Sequence, residues 1–192
     1  MKDNAKKWVK QSVNYFKGMG FFQNGFNLEK IHEYVRDVYF DEYLERQPKP
    51  HGWGALDWLL LSQDTKRVSS VGDQIINVND TSKDYIDAIN HWGVISNGVF
   101  TPINIDFQWI KKFDIFSINL DFKDKHLTFR SDSRSRIDDE LLFMINGLME
   151  GTECLFYECN AEGIESQVIA LTEYEKEKLT KERGWHCHLG IQ

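Results

Sequence analysis

Apolar residues recur at three- and four-residue steps over positions 4–17. Trp8, Val9, Val13 and Phe16 share one stripe, and Gly18 stands where a glycine ends a helix. The pattern predicts a helix there. A second is predicted after Asn27, a good N-cap, and stops before Pro48, with Leu28, Ile31, Val35 and Val38 as its inner stripe and Tyr34 and Tyr39 beside it. Its other side carries Glu29, Glu33, Asp37 and Asp41, continuing to Glu42 and Glu45, with Lys30 and Arg36 among them. The plainer meaning of that side is a solvated face; the functional one is an acidic docking stripe. Gly52–Leu61 fits a short buried helix or a buried strand, and the segment to Val78 stays open between them. Thr81-Ser-Lys-Asp84 reads as a capping box that opens a helix holding Tyr85, Ile86, Ile89 and Trp92, with Gly93 ending it. Thr101-Pro102 places proline at a first helical position, so a short helix is predicted toward Trp109.

After Phe113 the period changes from helical to alternating. Phe116, Ile118, Leu120 and Phe122 alternate with Ser117, Asn119 and Asp121, Lys123-Asp124 can turn the chain, and Leu127 and Phe129 alternate again: a β-hairpin. Ser135-Arg-Ile-Asp138 reads as a second capping box before a stripe of Ile137, Leu141, Met144, Ile145 and Leu148. Thr152–Cys159 and Ile164–Leu171 suggest a second hairpin, and Thr172-Glu-Tyr-Glu175 a third capping box before a polar helix that ends at Gly184. The expectation is one α+β domain over residues 1–192. It has a helical segment over 1–50, a ββαββα part with an antiparallel sheet over 113–184, and a loose tail over 185–192.

Composition narrows the function classes. Of 192 residues 41% are hydrophobic and 14% aromatic, enough to close a core and too many for a disordered chain. Lys and Arg number 23 against 30 Asp and Glu, a net charge of −7, which disfavours sequence-independent nucleic-acid binding. The excess is uneven: between Ile137 and Arg183 twelve acids face four bases, so this segment carries −8 and everything else sums to +1. An acidic lobe attracts a cationic partner. Glu153, Glu158, Glu173, Glu175 and Glu177, with Glu29, Glu33, Asp37 and Asp41, are the candidate partner-binding residues. The basic start is not followed by an apolar run, and apolar runs such as Trp58–Leu61 stay far short of a bilayer's width, so neither a secretory leader nor a membrane span is expected. Three cysteines, an odd and sparse set, point to reduced thiols in the cytoplasm.

Candidate chemistry is thin. Cys154, Cys159, His186 and His188 are the best metal set, but C-x4-C with H-x-H matches no common zinc spacing, and free thiols with a loose tail are the reading adopted. Arg130–Arg136 leads into a helix start and could hold a phosphate, yet no glycine-rich turn opens the backbone, so a polar cap is the plainer reading. The loop His51-Gly-Trp-Gly54 reads as a turn packed on a tryptophan, and Cys187 as a weak nucleophile candidate. No nucleophile elbow, zincin, phosphate-loop or dinucleotide signature occurs, so no catalytic residue, metal or cofactor is expected. Two alternatives stay open: a small-molecule hydrolase using His91 or His126 with a nearby carboxylate, and a homo-oligomeric structural protein using the aromatic surplus.

Three stretches together resemble a known family: Ile89–Ile105 with Trp109 after it, Ile145-Asn-Gly-Leu148, and Ala170–Trp185. They are similar to small uncharacterised bacterial proteins of polymorphic (Rhs and contact-dependent) toxin loci that look like cognate immunity proteins. The resemblance spans Gln63 to Trp185 and carries over no catalytic residue. It implies neutralisation of a cognate toxin, such as a nuclease with a basic cleft, by steric and electrostatic occlusion. Aromatic anchors and acids pairing with toxin lysines or arginines would hold the complex.

Overall fold

The computed structural model describes residues 3–23, 54–70, 81–132, 137–160 and 166–190, with single positions 27, 29 and 33. Helix α1 (Asp3–Lys17) turns Val9, Val13 and Phe16 fully inward, the stripe its spacing predicts. The ambiguous run becomes helix α2 (Gly54–Leu61), with Leu56, Leu59, Leu60 and Leu61 all buried. A short strand β1 (Val68–Ser70) follows. Helix α3 (Thr81–Ile95) buries Tyr85, Ala88, Ile89, Trp92 and Ile95 and runs past Gly93, which was expected to end it. Gly93 is instead a contact point, since a Cβ there would stand 3.1 Å from the Phe100 carbonyl. The chain turns afterwards through Asn97 and Gly98, both left-handed.

The helix expected from Thr101 to Trp109 is a strand, β2 (Ile103–Ile110). It pairs antiparallel with β3 (Ile115–Phe122), Phe107 opposite Ile118 and Trp109 opposite Phe116. Alternation of Ile105, Phe107 and Trp109 with Asp106 and Gln108 suits a pleat, and a partner strand outweighs the local hint from Pro102. Strand β4 (Lys125–Ser131) completes a three-stranded sheet, joined to β3 by the predicted turn at Lys123-Asp124. Helix α4 (Asp139–Leu148) starts later than expected. Asp138 caps it, its carboxylate accepting the Glu140 N–H, while Ser135 lies outside the described residues.

Strands β5 (Leu155–Asn160) and β6 (Gln167–Leu171) form the second hairpin. Helix α5 (Glu173–Arg183) follows, and its capping box is present in full: the Thr172 hydroxyl accepts the Glu175 N–H, and the Glu175 carboxylate accepts the Thr172 N–H. The tail is not loose. Strand β7 (His186–His188) pairs with β5, Trp185 is fully buried, and Gly190 lies against α4, where a Cβ would meet the Asp139 carbonyl at 3.0 Å. The register sets Cys159 opposite Cys187, and the two form a disulfide where free thiols were expected. Cys154 is free.

The chain is mixed α+β, with five helices and two antiparallel sheets among the described residues, where the sequence suggests one sheet. The second sheet, in the order β1-β6-β5-β7, is buried on both faces, and all five residues of β6 are inside. Alternation divides them. Ile169 and Leu171, with Tyr157 and Cys159, face α1, α2, Leu179 and Trp185. Val168 and Ala170, with Phe156, face α3, α4 and the inner side of the three-stranded sheet. Helices α3 and α4 thus contact both sheets.

Asn146 secures that junction. Its amide donates to the Phe156 carbonyl at 2.7 Å and accepts the Phe156 N–H at 2.8 Å, satisfying a stretch of β5 edge that lies beyond the end of β7.

Candidate functional site

The acidic candidates fall into distinct groups. Glu29 and Glu33 are exposed and helical, and Asn27 accepts the Glu29 N–H at 2.9 Å as an N-cap does. Asp37 and Asp41 lie outside the described residues. On α5 the three glutamates are engaged within the protein. Glu175 pairs with Arg67 at 3.1 Å, Glu173 with Lys176 at 3.0 Å and the Tyr157 hydroxyl at 3.0 Å, and Glu177 with Lys181 at 2.7 Å. The Lys176 ammonium and the Tyr157 hydroxyl hold the Glu173 carboxyl below its usual range, while burial, then Glu173, push the Tyr157 hydroxyl up. Residues 173–183 hold four acids and four bases, so α5 is neutral as a unit.

The unbalanced charge lies before it. Positions 137–172 contain eight carboxylates and no lysine or arginine. Glu140, Glu150 and Glu153 stand exposed on α4 and the turn after it, whereas Glu158 is half-buried on β5 opposite Val168 and His188. Glu162 and Glu165 lie outside the described residues.

The outer face of the three-stranded sheet carries a polar ladder that the sequence alone did not assemble. Asp121 meets His126 Nδ1 at 2.6 Å and accepts from Asn104 at 2.8 Å, and both contacts, Asn104 first, hold its carboxyl below the usual range. His126 Nε2 lies 3.2 Å from the Thr128 hydroxyl, which donates to Asn119 at 2.8 Å. The order Asp–His–hydroxyl is that of a proton relay, but these groups sit in the open on neighbouring strands, where water screens each of them. His91, the other candidate base, is bonded through Nε2 to the Thr65 carbonyl at 2.7 Å. His32, His51 and Ser133–Arg136 of the phosphate-loop candidate lie outside the described residues.

The cysteine–histidine set is not brought together as a metal site. Cys159 is bonded to Cys187, Cys154 stands at the other end of β5, and no metal-holding group of His, Cys, Asp or Glu occurs among the described residues. No helix among those residues is long and apolar enough to cross a membrane.

Two further charged groups went unnoticed in the sequence. Asp57, the one acid in an apolar run, is fully buried, with Arg183 the nearest cation at 3.7 Å. Burial pushes its carboxyl up to about 7, against the pull of Arg183, Ser12 and Trp185. Arg67 links distant parts of the fold, bonding the Ala170 carbonyl at 3.2 Å as well as Glu175, its guanidinium 4.5 Å over the Phe21 ring. No protein-family model, curated protein or solved structure matches this chain.

Proposed function

We propose that this protein binds a positively charged protein and blocks it by sitting on it, in the manner that the resemblance to immunity proteins implies. The partner is then a cognate toxin with a basic surface. The observation that supports this reading most is the run of eight carboxylates without a lysine or arginine over 137–172. The glutamates of α5 are answered by their own lysines and by Arg67, so the field felt by a partner comes mainly from α4 and the turn into β5, with Glu140, Glu150 and Glu153 foremost. A one-signed surface of this kind speeds encounter with an oppositely charged cleft and weakens as salt screens it.

Co-expression with the toxin encoded beside it should restore growth of a toxin-producing strain, and the purified pair should associate with a rate that falls steeply as ionic strength rises. Changing Glu140, Glu150 and Glu153 together to Lys should slow association on the order of tenfold or more at low salt and flatten the salt dependence. Unchanged association would remove this surface from the interface, and growth inhibition undiminished by the wild-type chain would end the immunity reading.

A further inference from the structure

A cleft of about 130 Å³ opens where the end of α3 and the turn after it, at Ile95 and Val99, meet Glu153 and Cys154 ahead of β5, with the Arg67–Glu175 pair forming its far wall. The charge inside it is not balanced. Arg67 is already neutralised by Glu175 and bonds the Ala170 carbonyl through the same Nη2, while its buried Nε makes no hydrogen bond. That leaves the Glu153 carboxylate, with which no lysine or arginine pairs among the described residues. Its position is braced: the Thr152 N–H donates to the Met149 carbonyl at 2.9 Å and the Thr152 hydroxyl to the Cys154 carbonyl at 2.8 Å. The cleft also lies at the carbonyl end of a 15-residue helix whose last turn holds no basic residue, an end that carries a partial negative charge.

The space suits a small group. Its volume is close to that of a cavity that takes one benzene-sized group. It fits the end of one long side chain, with Val99 against the methylene stem and a charged head at Glu153.

We infer that this cleft is a subsite for a single cationic side chain, a lysine ammonium or an arginine guanidinium, presented by a protein partner. The identity of that partner rests on the docking reading above; the preference of the cleft for a cationic head does not. Titration with Nα-acetyl-lysine methylamide or its arginine counterpart, followed by amide NMR, should give saturable shifts at Asn97, Glu153 and Cys154, with a Kd on the order of millimolar. The norleucine and glutamate counterparts should give none. Glu153→Gln should weaken binding about fivefold or more, a neutral change on an exposed turn that leaves the fold intact. Cys154, the free thiol, supplies a second readout, because saturating lysine probe should slow its alkylation while the norleucine probe does not. Equal shifts with norleucine, no saturation, or full binding by Glu153→Gln overturns the inference without touching the docking proposal. If the toxin complex forms and Cys154 is alkylated in it at the free rate, the assignment to a partner side chain falls while docking itself stands.

Discussion

Replacing Asp57 with Asn should abolish most of a pH-dependent loss of stability that this one carboxyl causes. The group is wholly inside, on α2 facing Ser12 of α1 and Arg183 of α5, and Arg183, its nearest cation, stands 3.7 Å away. Burial raises its pKa from 3.8 to about 7, with Arg183, Ser12 and Trp185 pulling the other way. In the unfolded chain the carboxyl ionises near 3.8, whereas in the folded protein it holds its proton to about 7. Over that window the unfolded state binds fewer protons, so stability is full below pH 3.8 and falls as pH rises through 7. The whole effect is about 4 kcal/mol, of which about 2–3 kcal/mol is lost between roughly pH 5 and pH 8. Asn has the same shape and cannot ionise. Arg183 left without its carboxylate gives the variant a constant offset, because the guanidinium stays charged throughout, so the comparison is between slopes. Urea unfolding of both proteins at the two pH values measures it: the wild type should lose about 2–3 kcal/mol more than Asp57→Asn on going to the higher pH. Carboxyl-carbon NMR should place the Asp57 midpoint near 7. Slopes that agree within about 0.5 kcal/mol would show that Asp57 is ionised in the folded protein at neutral pH, and the reasoning from its burial would be wrong.

Asn146→Ala strips both partners from the buried Phe156 peptide groups and should cost about 3 kcal/mol, lowering the thermal midpoint by about 6–12 °C. A loss below about 1 kcal/mol in thermal unfolding would mean that water replaces the amide. Reducing Cys159–Cys187, which spans 28 residues of chain, should cost about 3–4 kcal/mol by the chain-entropy argument. It should also speed hydrogen exchange in β7 well before the three-stranded sheet. Recovery of both thiols alkylated without reductant would show that the bond is not formed.

What sequence alone determined is what depends on neighbours a few residues away. The stripe of Val9, Val13 and Phe16, the alternation of Phe116 to Phe122, and the Thr172–Glu175 capping box all appear as the pattern predicts, because helix faces, pleats and caps are built from residues within a turn of one another. The acid excess over 137–172 is likewise legible without a fold.

Pairing across the chain decided the rest. Thr101–Trp109 has a helical start signal and becomes a strand because β3 offers it a ladder. The tail becomes β7 because β5 has an edge to fill, and that register brings Cys187 to Cys159. Glu175 looks like any other acid of the lobe until Arg67, 108 residues away, is found beside it. Asp57 is one acid in an apolar run until Ser12 of α1 and Arg183 of α5 are found facing it. A carboxylate's charge is written in its codon, but whether water, an arginine or a leucine surrounds it is set by packing, and only packing separates the acids free to meet a partner from those already answered within the fold.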